Sequence, residues 1–194
     1  MNPPFSLEDW GHDTVAARNK FRRLSYGMPP ASNGDRAWLQ QIAKSLKDAD
    51  PDTGAGGQGM VVMSQGVLCR GQPEQTEDGN GQNQKANAEY LIRPGFIEAD
   101  LIEAILVRPG KLFYGNNVPG CPLLLIKAEP TGRNDKILMI WASRIFQKGN
   151  PQNPLRPSDL MRILVPWRAF GDLEAGRRLL PEHEAQLIHE VEQC

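Results

Sequence analysis

Histidine and cysteine are scarce in this chain, and their scarcity removes several chemistries together. The cysteines Cys69, Cys121 and Cys194 lie far apart, unpaired by spacing, and form no CxxC or Cys/His cluster. Zinc is therefore not indicated, and a reduced, cytoplasmic setting is the expected one. His12, His183 and His189 are scattered, so no Ser/His/Asp constellation can be assembled. A charge imbalance is also missing: 22 Lys plus Arg face 23 Asp plus Glu. Composition alone thus does not advertise nucleic-acid binding, although other parts or subunits of an assembly can supply a basic surface. No apolar run approaches the length of a membrane span, and the first residues lack the charged-then-apolar pattern of a secretory signal. No internal repeat is present.

What is there is ordinary for a folded domain: 194 residues, 40% hydrophobic and 23% charged. The first thirty-four residues are rich in turn formers, with a short helical piece expected from Asp13 to Leu24. Asp35 to Lys47 reads as a helix, with Ala37, Trp38, Ile42 and Leu46 near helical spacing and Asn33 or Asp35 available as its cap. Met60 to Met63 reads as a short strand buried on both faces. Residues from Gly71 to Ala88 are polar and read as an exposed, mobile insertion. A helix follows over Tyr90 to Ala99, with a potential interruption at Arg93-Pro94-Gly95. Three more strands are expected at Ile102 to Val107, Leu123 to Ala128 and Lys136 to Ala142, and a tail helix at Pro181 to Gln193. This order of elements is the second half of an α/β sheet; a complete doubly wound domain needs further strand–helix units.

Asn2-Pro3-Pro4-Phe5 is the sharpest chemical feature. Four residues alone justify only a turn. Two prolines nevertheless stiffen the backbone and remove donors, leaving carbonyls free to accept. The Asn amide adds another acceptor, and an aromatic ring beside it can stack on a planar group. Stiff acceptors next to a stacking ring suit the holding of an amino group whose nitrogen must attack a methyl donor. The tetrapeptide resembles the (Asp/Asn)-Pro-Pro-(Tyr/Phe) motif of amino-methyltransferases, which act on adenine, on cytosine N4, on guanine in RNA or on a protein glutamine.

Further stretches narrow the resemblance. Ser6-Leu7 and Trp10 continue the motif, and Tyr26-Gly27-Met28-Pro29-Pro30 with Asp35-Arg36-Ala37-Trp38-Leu39 follow in order. Next come Val61-Val62-Met63-Ser64-Gln65-Gly66-Val67-Leu68-Cys69-Arg70-Gly71 and Leu112-Phe113-Tyr114-Gly115-Asn116-Asn117-Val118-Pro119. Gln152-Asn153-Pro154-Leu155 closes the series. Together these are similar to the modification subunits of type I restriction–modification systems, in the adenine-specific N-6 DNA methylase family. Ser64-Gln65 departs from the Pro-Asn or Pro-His usual there.

The resemblance implies a fold: an α/β, partial class I S-adenosylmethionine-dependent methyltransferase (Rossmann-like) sheet lacking its N-terminal strands. It implies residues 1–170 as the C-terminal half of a catalytic domain and 171–194 as a helical tail. It implies Asn2, Pro3, Pro4 and Phe5 as catalytic residues and S-adenosylmethionine as donor, the donor-binding glycine turn and acidic residue being expected upstream of Met1. The implied partners are DNA, the specificity and restriction subunits of the type I complex, and a separate N-terminal half, with no membrane. Two other readings stay open: a non-catalytic assembly module, and a protein-glutamine methyltransferase sharing the motif. Gly54-Ala55-Gly56-Gly57-Gln58-Gly59 fits GxGxxG but follows a helix and precedes a strand, the reverse of a nucleotide loop, and reads as a flexible turn. Arg18, Lys20, Arg22 and Arg23 form a basic run, either a solvated loop or a phosphate contact.

Overall fold

The computed structural model describes residues 1–18, 20–71, 88–112, 117–128, 132–172 and 174. The expected insertion between 71 and 88 and the tail helix at 181–193 therefore lie outside the described residues.

A short helix α1, His12–Ala17, stands in the leading loop, and a longer one, α2, spans Asp35–Ser45. Strand β1, Gln58–Ser64, runs into a single 3-10 turn at Gln65–Leu68. Helix α3, Ala88–Glu98, precedes strands β2, Ile102–Val107, and β3, Gly120–Ile126. Strand β4, Leu138–Trp141, and helix α4, Pro157–Ala169, complete the order. The four strands form one mixed sheet in the order β1-β3-β2-β4. β3 is antiparallel to both neighbours, whereas β4 runs parallel to β2.

Register explains the layers. Val61 lies opposite Leu123, and Leu123 opposite Ile105, so these three share a face. Leu39 and Ala43 of α2 and Ile92 and Phe96 of α3 close over that face and make the core. On β4, Met139 and Trp141 continue the same face by pairing with Ile105 and Val107. They stand 52% and 63% exposed, so the helical cover stops short of the sheet's β4 side. On the opposite face Met60 is also largely exposed.

Several expectations are corrected here. β1 is not buried on both faces, because the residues of its second face meet no full helical layer. α1 ends at Ala17 instead of running to Leu24, and Arg22 takes a left-handed φ of 48° that no helix continues through. α3 is not interrupted: Pro94 sits inside it. In α2 the buried residues include Arg36, Leu39, Gln40 and Ala43, while Trp38 and Ile42 are only half-buried. Neither Asn33 nor Asp35 caps α2: the cap position is Gly34, whose carbonyl accepts from the Ala37 and Trp38 amides, and Asn33 Oδ1 accepts from the Asp35 amide at 2.9 Å in the turn just before the helix.

α4 was not expected at all. Pro157 opens it, and Asp159 accepts from the Arg156 backbone N–H and from its Nε and Nη2, each at 2.9 Å. Those bonds, the side-chain ones first, hold the buried Asp159 carboxyl at about 2 instead of 3.8. An unfolded chain takes up that proton at higher pH than the folded one. The cap's contribution should therefore be complete above about pH 4 and be lost as pH falls toward about 2. Acid titrations followed by circular dichroism should show Asp159→Asn removing that part of the acid sensitivity. An unchanged acid transition would count against the cap.

Candidate active site

The site is built where a chain segment leaves the sheet. The Met1 nitrogen donates to the Met60 carbonyl at 2.6 Å, and the Val62 N–H donates to the Met1 carbonyl at 2.9 Å. That pair of bonds flanking Val61 is the parallel-strand pattern. Met1 thus lies along the free edge of β1 and runs in its direction, so Asn2 departs at the same carboxyl end as Ser64. Ligands of open α/β sheets bind at such ends. Among the described residues, Met1 alone occupies this edge, and the sheet is open there.

In the turn that follows, Asn2 and Pro4 are exposed, Phe5 is half-buried and Pro3 is buried. The proline anchors the turn while the amide and the ring remain accessible. Sequence reasoning named these four, and the structure brings them together simply because they are contiguous. The surroundings were not foreseen. Ser6, in a left-handed conformation with φ 52°, donates its amide to Asp35 Oδ1 at 2.8 Å. Arg70 Nη1 donates to Ser6 Oγ at 3.1 Å, and Arg70 Nη2 forms an ion pair with Asp35 Oδ2. Ser64 Oγ also donates to Asp35, at 3.3 Å, and Glu89 lies 3.5 Å from Arg70 Nε.

The rest of the leading loop folds back on α2. Trp10 Nε1 donates to the Pro30 carbonyl at 3.0 Å and Gly34 N–H to the Leu7 carbonyl at 2.9 Å. A Cβ on Gly34 would lie 2.8 Å from Trp10 Cβ, so only glycine fits there. Buried Gln40 receives the Tyr26 amide at 2.9 Å and donates to the Gly27 carbonyl at 2.9 Å. The Tyr26 ring packs on Phe96 at 4.8 Å. Arg36 is buried and donates to the Val67 carbonyl. Burial, then nearby Arg93, lowers its pKa to about 10.

Of the other candidates, the basic run surrounds an aromatic. Phe21 is 61% exposed, with the Arg23 guanidinium 4.7 Å and the Lys20 ammonium 5.7 Å from its ring centroid. His12 pairs locally with Asp13 at 3.0 Å. No metal-binding cluster occurs among the described residues, and none of their helices is long and apolar enough to cross a membrane.

A methyl-donor cradle needs glycines facing open space. In Gly54 to Gly59 only Gly54 faces open space, and the others are crowded. A Cβ on Gly56 would lie 2.8 Å from the Ala128 nitrogen, and one on Gly57 2.6 Å from the Lys47 nitrogen. Their missing side chains make room for the protein's own backbone, and the segment leads into β1 without opening a helix. The described residues around it do not fit S-adenosylmethionine.

The profile of the N-6 DNA Methylase family matches residues 1–186, and the chain belongs to that family. It is 31% identical over 178 residues to the type I restriction enzyme MjaVIII methylase subunit of Methanocaldococcus jannaschii, covering 89% of this chain and 26% of that protein. It is 31% identical over 192 residues to the MjaVII methylase subunit of the same organism, covering 94% of this chain and 29% of the relative. The type I restriction-modification system methyltransferase subunit of Streptococcus thermophilus superimposes with a TM-score of 0.67 at 27% identity, over 87% of this chain and 30% of that one. The chain therefore spans less than a third of the length of the relatives it matches. Its mixed α/β sheet corresponds to part of a type I methyltransferase subunit. The family uses S-adenosylmethionine.

Proposed function

We propose that this chain carries the acceptor side of an adenine-N6 DNA methylation site and is the C-terminal half of a class I methyltransferase domain whose donor side lies on other residues. One observation supports this most. Asn-Pro-Pro-Phe follows Met1, whose backbone flanks Val61 in the parallel pattern at the free edge of β1, with the first proline buried and the amide exposed. Asn2 and the Pro3 carbonyl would accept from the exocyclic amino group, Pro4 would stiffen the turn, and Phe5 would stack on the base. A duplex base cannot reach such a turn while stacked, so it enters flipped. Lys20 and Arg23, set over the exposed Phe21 ring, suit phosphate contact. Base recognition beyond the target falls to a specificity subunit, with the restriction subunit completing the type I complex.

The test is reconstitution. The chain is joined to an N-terminal methylase half, offered duplex DNA and a labelled methyl donor, and the digested product is read for N6-methyladenine. Label in cytosine or in protein glutamine would overturn the assignment. In that system Phe5→Ala should weaken the hold on the flipped base by about 1–3 kcal/mol, the range of base–aromatic stacking. Fluorescence of 2-aminopurine at the target position checks it, and an unchanged flipping equilibrium would remove Phe5 from the base pocket.

A further inference from the structure

We propose that Asp35 and Arg70 are positioning residues: they latch the Asn2–Phe5 turn through the strained backbone of Ser6. This rests on the reading of that turn as an amino-group clamp. Ser6 follows Phe5 directly, and its φ of 52° lies in the left-handed region that a residue with a Cβ enters at a cost. Such a conformation persists where its surroundings over-determine it. Here two bonds do so, one on its amide from Asp35 and one on its hydroxyl from Arg70.

The two holding residues are themselves fixed. Asp35 has no exposed surface and accepts from Ser6, Ser64 and Arg70. Arg70 lies between the carboxylates of Asp35 and Glu89, and its carbonyl accepts from Arg93 Nη2 at 2.8 Å. The network therefore joins the start of α2, the end of β1, the turn after it, and α3 at the Asp35–Arg70 pair, and Ser6 is bound to both members of that pair. A role confined to starting α2 would need neither Ser6 nor Arg70, because Asn33 already receives the Asp35 amide. The latch sets the direction in which the turn leaves the sheet. Methyl transfer punishes misdirection severely: displacement of about 1 Å can cost about 10²-fold in rate.

The first measurement is hydrogen exchange at the Ser6 amide, read by NMR on the 194-residue chain. Arg70→Met, which keeps length but removes the guanidinium, should speed Ser6 exchange about tenfold while the amides of α2 keep their protection. Arg70→Lys should recover part of the loss. Ser6→Gly should retain more protection at position 6 than Ser6→Ala, since both lose the hydroxyl but only glycine tolerates the φ. Unchanged exchange in Arg70→Met, or Ser6→Ala equal to Ser6→Gly, would overturn the latch. In the reconstituted methylase Arg70→Met should lower kcat about 10–100-fold with KM for DNA little changed. Loss of Ser6 protection with kcat intact would refute the positioning role. If the unsubstituted reconstituted protein does not methylate adenine, the clamp reading fails, and the positioning role falls with it. Ser6 exchange then decides only whether the contact exists.

Discussion

Prepared as its 194 residues alone, the chain is expected to show no saturable S-adenosylmethionine binding at concentrations where a complete methylase is saturated. Methyl transfer needs donor carbon and acceptor nitrogen held about 3–3.5 Å apart. The proposed acceptor side lies at residues 2–5. On the donor side, the one glycine-rich stretch that mimics a nucleotide loop is filled by the backbone at Lys47 and Ala128. Isothermal titration of the chain alone should be flat. Adding an N-terminal methylase half, as a second polypeptide or a fusion, should produce stoichiometric binding. Stoichiometric uptake by the chain alone would refute both the half-site reading and the dismissal of Gly54 to Gly59.

The second large effect is at Asn2. In the reconstituted protein Asn2→Ala should lower methylation at least about 10²-fold, because the proposed role of the amide is both to accept from the amino group and to fix its orientation. Cofactor binding should survive, since the amide is assigned to the base and not to the donor. Filter assays of methyl incorporation, run beside calorimetry with the cofactor, separate the two quantities. Undiminished methylation would end the assignment of Asn2. Lost cofactor binding would move Asn2 to the donor side.

How far these features could be read from the sequence varied with the kind of interaction. β2 was visible to the residue, because Ile102 to Val107 is apolar except for Glu103, and five of its six residues are buried. The tetrapeptide was visible because its chemistry is local. Helix α4 was not: it contains two prolines, of which Pro157 starts the helix and Pro166 is accommodated within it. Pro94 misled for the same reason. The antiparallel placement of β3 between β1 and β2 leaves no period in the sequence, since both faces of these strands are apolar. In the sequence Asp35 stands out only as a candidate cap of α2 and Arg70 only within the resemblance, neither with a task at the turn. An acid and a base 35 residues apart acquire one only when the 3-10 turn after β1 brings them together. The cap of α2 was misjudged, because Gly34 offers no side chain to cap with and takes the position through its carbonyl alone.

Strand order has a consequence for synthesis. β1 finds its strand-long partner in β3, which lies on the far side of α3 in the chain, and β2 comes off the ribosome before the strand that separates it from β1. The sheet cannot zip up in the order it is made. The edge beside Met1 can take its final form only after residue 126 has emerged, so any segment meant to lie along that edge must wait, exposed, for material translated well after it. Slow codons or pausing ahead of β3 should lengthen that wait and raise the fraction of nascent chain captured by chaperones. Circular permutants that place β3 earlier should shorten it.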